Sequence, residues 1–296
     1  MSSIAFIGLG HMGGPMAANL VKAGHAVRGF DLSAASLDLA RENGVATVAS
    51  IGEAVSGADL VITMLPAGTH VLSVWQELVA TVPSGTLLID CSTIDMASAR
   101  KAHALAEAHG CPALDAPVSG GTGGASAGTL TFMVGGDAGV FAGARPVFEA
   151  MGRKIIHCGG ASAGQAAKIC NNMILGISMI AVGEAFVLGE RLGLSHQALF
   201  DVASVSSGQC WSLTTYCPVP GPVPTSPANH DYEPGFAAAL MLKDLNLSQA
   251  AAEDTGTVTP LGAGAAALYQ RFADEGAGAK DFSAIIAMLR GEPAAG

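Results

Sequence analysis

A glycine fingerprint at residues 8–13 sits between an apolar run and a helical pattern, and it leaves few folds open to the chain. Residues 4–7 read as a buried strand. Gly8, Gly10 and Gly13 follow as GxGxxG, and residues 12–23 read as a helix closed by Gly24. A second strand over 26–30 ends at Asp31. In such a unit the first glycine permits the tight turn, the second lets a pyrophosphate approach the backbone, and the third lets helix and strand pack closely. The helix N-terminus adds unpaired N–H groups and the positive end of a dipole. The expected ligand is therefore a dinucleotide. A carboxylate at Asp31 accepts hydrogen bonds from both ribose hydroxyls of NAD and repels the 2′-phosphate of NADP. Leu32 and Ser33 follow it, and Arg28 is the nearest cation. NAD is the expected cofactor.

Alternating patterns continue. Helices are expected over 34–43 and 94–109, and strands over 59–64, 86–90, 112–115 and 130–134. Repeated strand–helix–strand units imply an α/β, Rossmann-type domain whose parallel-rich sheet carries helices on both faces. Ligands bind at the carboxyl ends of such strands, so Met64-Leu65-Pro66 and Cys91-Ser92-Thr93 should face the cofactor. Near Gly160 the pattern changes. One helix is expected over 164–192, about 40 Å long at 1.5 Å per residue, as a spine between domains. Further helices are expected over 195–203, 236–253, 262–275 and 281–289, with a proline-rich loop over 217–234. The expected organisation is an NAD-binding domain over 1–162 and an all-helical substrate and oligomerisation domain over 163–296.

Composition narrows the function classes. Half of the 296 residues are apolar and 13% are charged, which excludes a disordered chain. The formal net charge is −10, so nothing offers nucleic acid a basic footprint. Six cysteines without a CxxC pair read as reduced thiols of a cytoplasmic protein, and no signal peptide is expected before the first strand. Eight histidines show no zinc spacing, so no metal is expected. The apolar run 173–183 is too short to span a bilayer and precedes Glu184, so it reads as a core helix and no membrane partner is expected. The apolar composition and the long helix suggest a homodimer or homotetramer.

Four segments carry a resemblance: FIGLGHMGGPMAANL at 6–20, DAPVSGGTGGASAGTLTFMVGG at 115–136, GQAAKICNNM at 164–173 and DYEPGFAAALMLKDLNL at 231–247. Together they resemble the β-hydroxyacid dehydrogenase family over nearly the whole chain. With CWSLTTYCPVPG at 210–221, the last is similar to members acting on 3-hydroxyisobutyrate. The resemblance implies NAD-dependent oxidation of that small hydroxy acid to methylmalonate semialdehyde. It implies Lys168 as the catalytic lysine and Asn172 as a substrate contact one turn later. Ser119, Gly120 and Gly121 match the loop that binds the substrate carboxylate, and Lys243 with Asp244 matches a pair closing over substrate and nicotinamide. Leu9, His11 and Met12 within the fingerprint, and Leu65, Pro66 and Thr93 beyond it, match cofactor contacts. His70 falls at a further contact where members with this activity often carry asparagine.

The chemistry asks for such residues. A base must take the hydroxyl proton, and a lysine does so only if its pKa falls well below about 10.4. Burial and nearby positive charge both push it down. Reduction of tartronate semialdehyde and oxidation of 3-hydroxypropionate need the same lysine and stay open. An imine reductase and a non-catalytic NAD sensor fit Lys168 less well. Residues 120–128 read either as a mobile loop or as the carboxylate site, and Lys243–Asp244 either as a surface pair or as part of the site.

Overall fold

The computed structural model describes residues 1–293. Packing divides the chain into two compact units, Met1–Lys168 and Ile169–Gly296. The division falls inside the long helix, whereas the sequence pattern placed a boundary near 162.

The first unit runs β1 (Ser3–Ile7), α1 (Gly13–Lys22), β2 (Ala26–Phe30), α2 (Ala34–Glu42), β3 (Ala46–Thr47), α3 (Ile51–Val55), β4 (Leu60–Thr63), α4 (Gly68–Thr81), β5 (Leu87–Asp90), α5 (Met96–Ala108) and β6 (Ala113–Asp115). It continues with β7 (Val118–Ser119), α6 (Gly121–Ala127), β8 (Leu130–Gly136), α7 (Ala138–Met151), β9 (Gly152–Gly159) and the start of α8 (Ala163–Arg191). The strand order is β3-β2-β1-β4-β5-β6-β8-β7, with β9 paired to β8. Strands β1 to β6 pair with one another in parallel, as the alternating pattern predicts. Beyond them the sheet departs from it. Strand β8 runs antiparallel to β6 and β7, and β9 pairs with it in parallel.

Side-chain alternation along the strands builds a core on each face. Ile4, Phe6, Leu60, Ile62 and Ile89 belong to one buried cluster. Ala5, Ile7, Val61 and Leu88 belong to the other, with Trp75 and Leu78 from α4. Three helices not expected from sequence complete these layers, α3, α4 and α7, the last of them following β8. Helix α7 is capped by Asp137, which accepts from the N–H groups of Gly139 and Val140. The glycine-rich stretch after β7 is the short helix α6 rather than an open loop.

The second unit is helical: the rest of α8, then α9 (His196–Ala203), α10 (Trp211–Thr214), α11 (Ala238–Thr255), α12 (Pro260–Phe272) and α13 (Ile285–Arg290). Met179 and Ile180 of α8 pack with Met241, Leu245, Tyr269 and Phe272. Val182 and Phe186, farther along, pack with Leu213, Cys217, Val219 and Ile286. At 29 residues and a mean hydropathy of 1.7, α8 is long and apolar enough to cross a membrane by length and composition, which the shorter run 173–183 understated. These packed side chains bury one side of α8 within the helical unit. The unit also exposes Ile174, Leu188, Leu192, Val205, Val258 and Leu261.

Candidate active site

Strand β1 has β2 on one side and β4 on the other, so the direction of winding reverses at its carboxyl end. A crevice forms at such a reversal and receives the ligand in this class of sheet. Gly8 leaves β1 there with φ +95°, a conformation that only glycine adopts without strain. A Cβ at Gly13 would run into the carbonyl of Gly8, so α1 approaches the strand as closely as it does only because that position is bare. Gly10 faces open space. Met12 at the N-cap of α1 supplies no side-chain hydrogen bond; within the first turn the Gly14 N–H donates to the Gly10 carbonyl at 3.0 Å and Pro15 carries no N–H. An NAD pyrophosphate fits this cradle. Asp31 follows β2 and accepts from the Leu9 N–H at 2.6 Å and the Ser33 N–H at 2.7 Å. It therefore orders the fingerprint loop, and both oxygens keep acceptor capacity for ribose hydroxyls. Arg28 donates to the Ser56 carbonyl.

Two neighbouring loops are bonded to each other. The Leu65 N–H donates to Ser92 Oγ at 2.8 Å, and Ser92 Oγ donates to Asp90 Oδ1 at 2.6 Å. Thr63 Oγ1 donates to the same Asp90 oxygen at 2.8 Å. Burial pushes the Asp90 carboxyl up from 3.8 to about 6; the bonds from Ser92 and Thr63 oppose the rise and the Asp115 carboxylate adds to it. Pro66 is exposed, Met64, Leu65 and Thr93 are partly buried, and His70 lies exposed in the first turn of α4.

The start of α8 is held from the sheet. Asp115, the last residue of β6, accepts from the Ser162 and Gln165 N–H groups, both at 2.8 Å, and pairs with His103 Nε2 at 2.9 Å. Gln165 is fully buried; its Oε1 accepts from the Ile94 N–H at 3.1 Å and its Nε2 donates to the Ser92 carbonyl at 2.7 Å. Lys168 follows one turn later and is 7% exposed. Ser119 ends β7, paired with Thr131 of β8, and Gly120 and Gly121 open α6.

In the helical unit, Asn172 Nδ2 of α8 donates to Asp244 Oδ2 of α11, and Lys243 Nζ lies 3.2 Å from Asp244 Oδ1. Asp244 is 3% exposed, so the pair is not an ordinary surface one. The structure thus groups Gly8 to Gly13 with Asp31, Met64 to Pro66 and Thr93 on one sheet edge, and Asn172 with Lys243 and Asp244 in the helical unit. Sequence reasoning missed Asp90, Asp115 and Gln165, and it named Ser92 only as part of a loop facing the cofactor. Their signal was a polar residue at or just past the carboxyl end of a buried strand, and one inside an apolar helical turn.

A family model for the NAD binding domain of 6-phosphogluconate dehydrogenase matches residues 3–160. A second, described as the NAD-binding domain of NADP-dependent 3-hydroxyisobutyrate dehydrogenase, matches 162–289. The chain is 50% identical to a 3-hydroxyisobutyrate dehydrogenase of Pseudomonas aeruginosa, covering 99% of this chain and 100% of that one. It superposes with a TM-score of 0.95 on a solved Mycobacterium tuberculosis 3-hydroxyisobutyrate dehydrogenase with L-serine, at 56% identity over 98% and 99% of the two chains. The chain belongs to the 3-hydroxyisobutyrate dehydrogenase family. An NAD-dependent L-serine dehydrogenase of Pseudomonas aeruginosa is 50% identical over 96% of this chain and 97% of that one. Membership of the 3-hydroxyisobutyrate dehydrogenase family makes the chain an NAD-binding oxidoreductase, consistent with the cradle around Gly8 and Asp31.

Proposed function

We propose that the chain catalyses the reversible, NAD-dependent oxidation of 3-hydroxyisobutyrate to methylmalonate semialdehyde, with Lys168 as general acid–base. The observation that carries this reading is a lysine buried to 7% exposure on a helix whose first turn is tied to a candidate cofactor loop. Bound NAD would supply the hydride acceptor for the carbinol carbon. Lys168 takes the hydroxyl proton in oxidation and returns it in reduction. Asn172 projects from the same face of α8, four residues on, and holds the hydroxyl, its amide fixed by Asp244. Ser119 and the N–H groups of Gly120 and Gly121 receive the substrate carboxylate. By the family resemblance, Lys243 and Asp244 are further candidate contacts for substrate and cofactor. Gly8, Leu9, Gly10, His11, Met12 and Gly13 hold the pyrophosphate, Asp31 the ribose, and Met64, Leu65, Pro66, His70 and Thr93 the rest of the cofactor.

L-serine is a second candidate substrate, supported by the two relatives whose names include it. It shares the primary carbinol and the carboxylate with 3-hydroxyisobutyrate and replaces the methyl group with an ammonium. Steady-state turnover with NAD on both acids tests the assignment. A higher kcat/KM for 3-hydroxyisobutyrate is expected, and a higher value for L-serine would reverse it.

The apolar residues exposed on the helical unit, among them Ile174, Leu192 and Leu261, support a homodimer or homotetramer. Light scattering that finds a fully active monomer would refute it. Six free cysteines support a cytoplasmic location.

A further inference from the structure

We infer that Gln165 is a positioning residue for the proton-transfer step: its buried amide, together with Asp115, sets where α8 presents Lys168 relative to the loop 92–94. The inference rests on the reading of Lys168 as general acid–base.

Gln165 has no exposure, and its side chain spends both ends on the backbone of one loop. Oε1 takes the Ile94 N–H, and Nε2 reaches the Ser92 carbonyl. A primary amide that bridges two peptide groups two residues apart fixes both distance and orientation between its own helix and that loop. Thr93, the candidate cofactor contact, lies between the two bridged residues. Lys168 comes three residues after Gln165, about one turn along the same helix, so lysine and glutamine move together.

The turn is held from a second side. Asp115 accepts the N–H groups of both Ser162 and Gln165 and pairs with His103. Ser162 enters α8 at φ +69°, a left-handed conformation unusual for serine, and is 2% exposed. Such a conformation persists only where its surroundings hold it, and here the Ser162 N–H is bonded to the Asp115 carboxylate. The network also reaches outward. The Ser92 hydroxyl bonds Asp90 and takes the Leu65 N–H, so the loop after β4, the loop after β5 and the first turn of α8 form one hydrogen-bonded body. Neither Gln165 nor Asp115 needs to touch substrate for this. Their effect passes through the placement of Lys168, and misplacement by about 1 Å at a reacting group can cost on the order of a hundredfold in rate.

The test uses the full-length enzyme with two substitutions. Gln165→Met keeps an unbranched chain of similar length and removes both hydrogen-bonding ends. Gln165→Asn keeps both ends on a shorter chain and is the variant to rely on if the first does not fold. NAD binding is titrated for affinity and stoichiometry, and kcat is expressed per NAD-binding site, so that loss of folded protein cannot imitate a slower step. The expected result is a kcat lower by about tenfold to a hundredfold, with NAD affinity and substrate KM close to wild type. A kcat within about twofold of wild type in the folded variants, or an NAD affinity that weakens as much as kcat falls, would overturn the inference. Lys168→Arg measured in parallel separates the two claims. If it retains kcat, the reading of Lys168 fails; if it loses kcat while the Gln165 variants keep theirs, only the positioning role fails.

Discussion

Asn172 Nδ2 and Asp244 Oδ2 stand 2.5 Å apart, with both residues at most 3% exposed. The other oxygen, Asp244 Oδ1, makes no hydrogen bond and has Lys243 Nζ at ion-pair distance. Asn172→Ala removes a hydrogen bond to a buried carboxylate. It should lower stability by about 1–3 kcal/mol, read as a lower melting midpoint. In the surviving folded enzyme, substrate KM should rise while NAD affinity holds. An unchanged melting curve would mean that the pair contributes little to the helical unit.

Asp31 makes a separate prediction about cofactor choice. Replacing Asp31 with Ser and Leu32 with Arg removes the charge that repels a 2′-phosphate and adds a partner for it. Leu32 is 93% exposed, so the new guanidinium has room. The ratio of kcat/KM for NADP to that for NAD should rise by about tenfold or more, equivalent to roughly 1.4 kcal/mol. Absolute rates should fall somewhat, because Asp31 also orders the Leu9 and Ser33 amides. A wild-type preference for NADP would contradict the role given to Asp31.

The Asp90 carboxyl is pushed up to about 6, chiefly by burial. The folded state therefore holds this proton over a range where the unfolded chain has released it. Stability from this group is fully present below about pH 4 and is lost as pH rises through 6. Asp90→Asn keeps the Oδ1 acceptor for Thr63 and Ser92 and cannot ionise. The melting midpoint of wild type minus that of the variant should decline between about pH 4 and 6 and stay flat above. Parallel curves across that window would show that the carboxyl is not raised.

The parts of the molecule legible in the sequence were the local ones. Gly8, Gly13 and Asp31 announce themselves because strand, turn, helix and strand are adjacent along the chain. The long helix was visible because no proline interrupts 163–191. The reversal of the sheet at β8 was not, because β7 spans two residues and is too short to show a period. The polar network was hidden for a different reason. Gln165 meets Ser92 and Ile94 across 73 and 71 residues, and Asp115 meets Gln165 across 50. No local pattern connects residues so far apart. Lys168 itself was singled out by the resemblance of its segment, and its burial became visible only in the fold.

The general acid–base role of Lys168 is tested most directly by the kcat of Lys168→Arg, measured with 3-hydroxyisobutyrate and saturating NAD, beside a titration of NAD binding. Arginine keeps the charge and stays protonated, so it cannot accept the hydroxyl proton. The account predicts a loss of about 10² to 10⁴ in kcat. NAD binding should be retained, since the contacts proposed for its pyrophosphate and ribose lie on the fingerprint loop and Asp31. A Lys168→Arg enzyme that keeps its kcat and changes mainly in KM would contradict it and leave Lys168 as a substrate-binding cation.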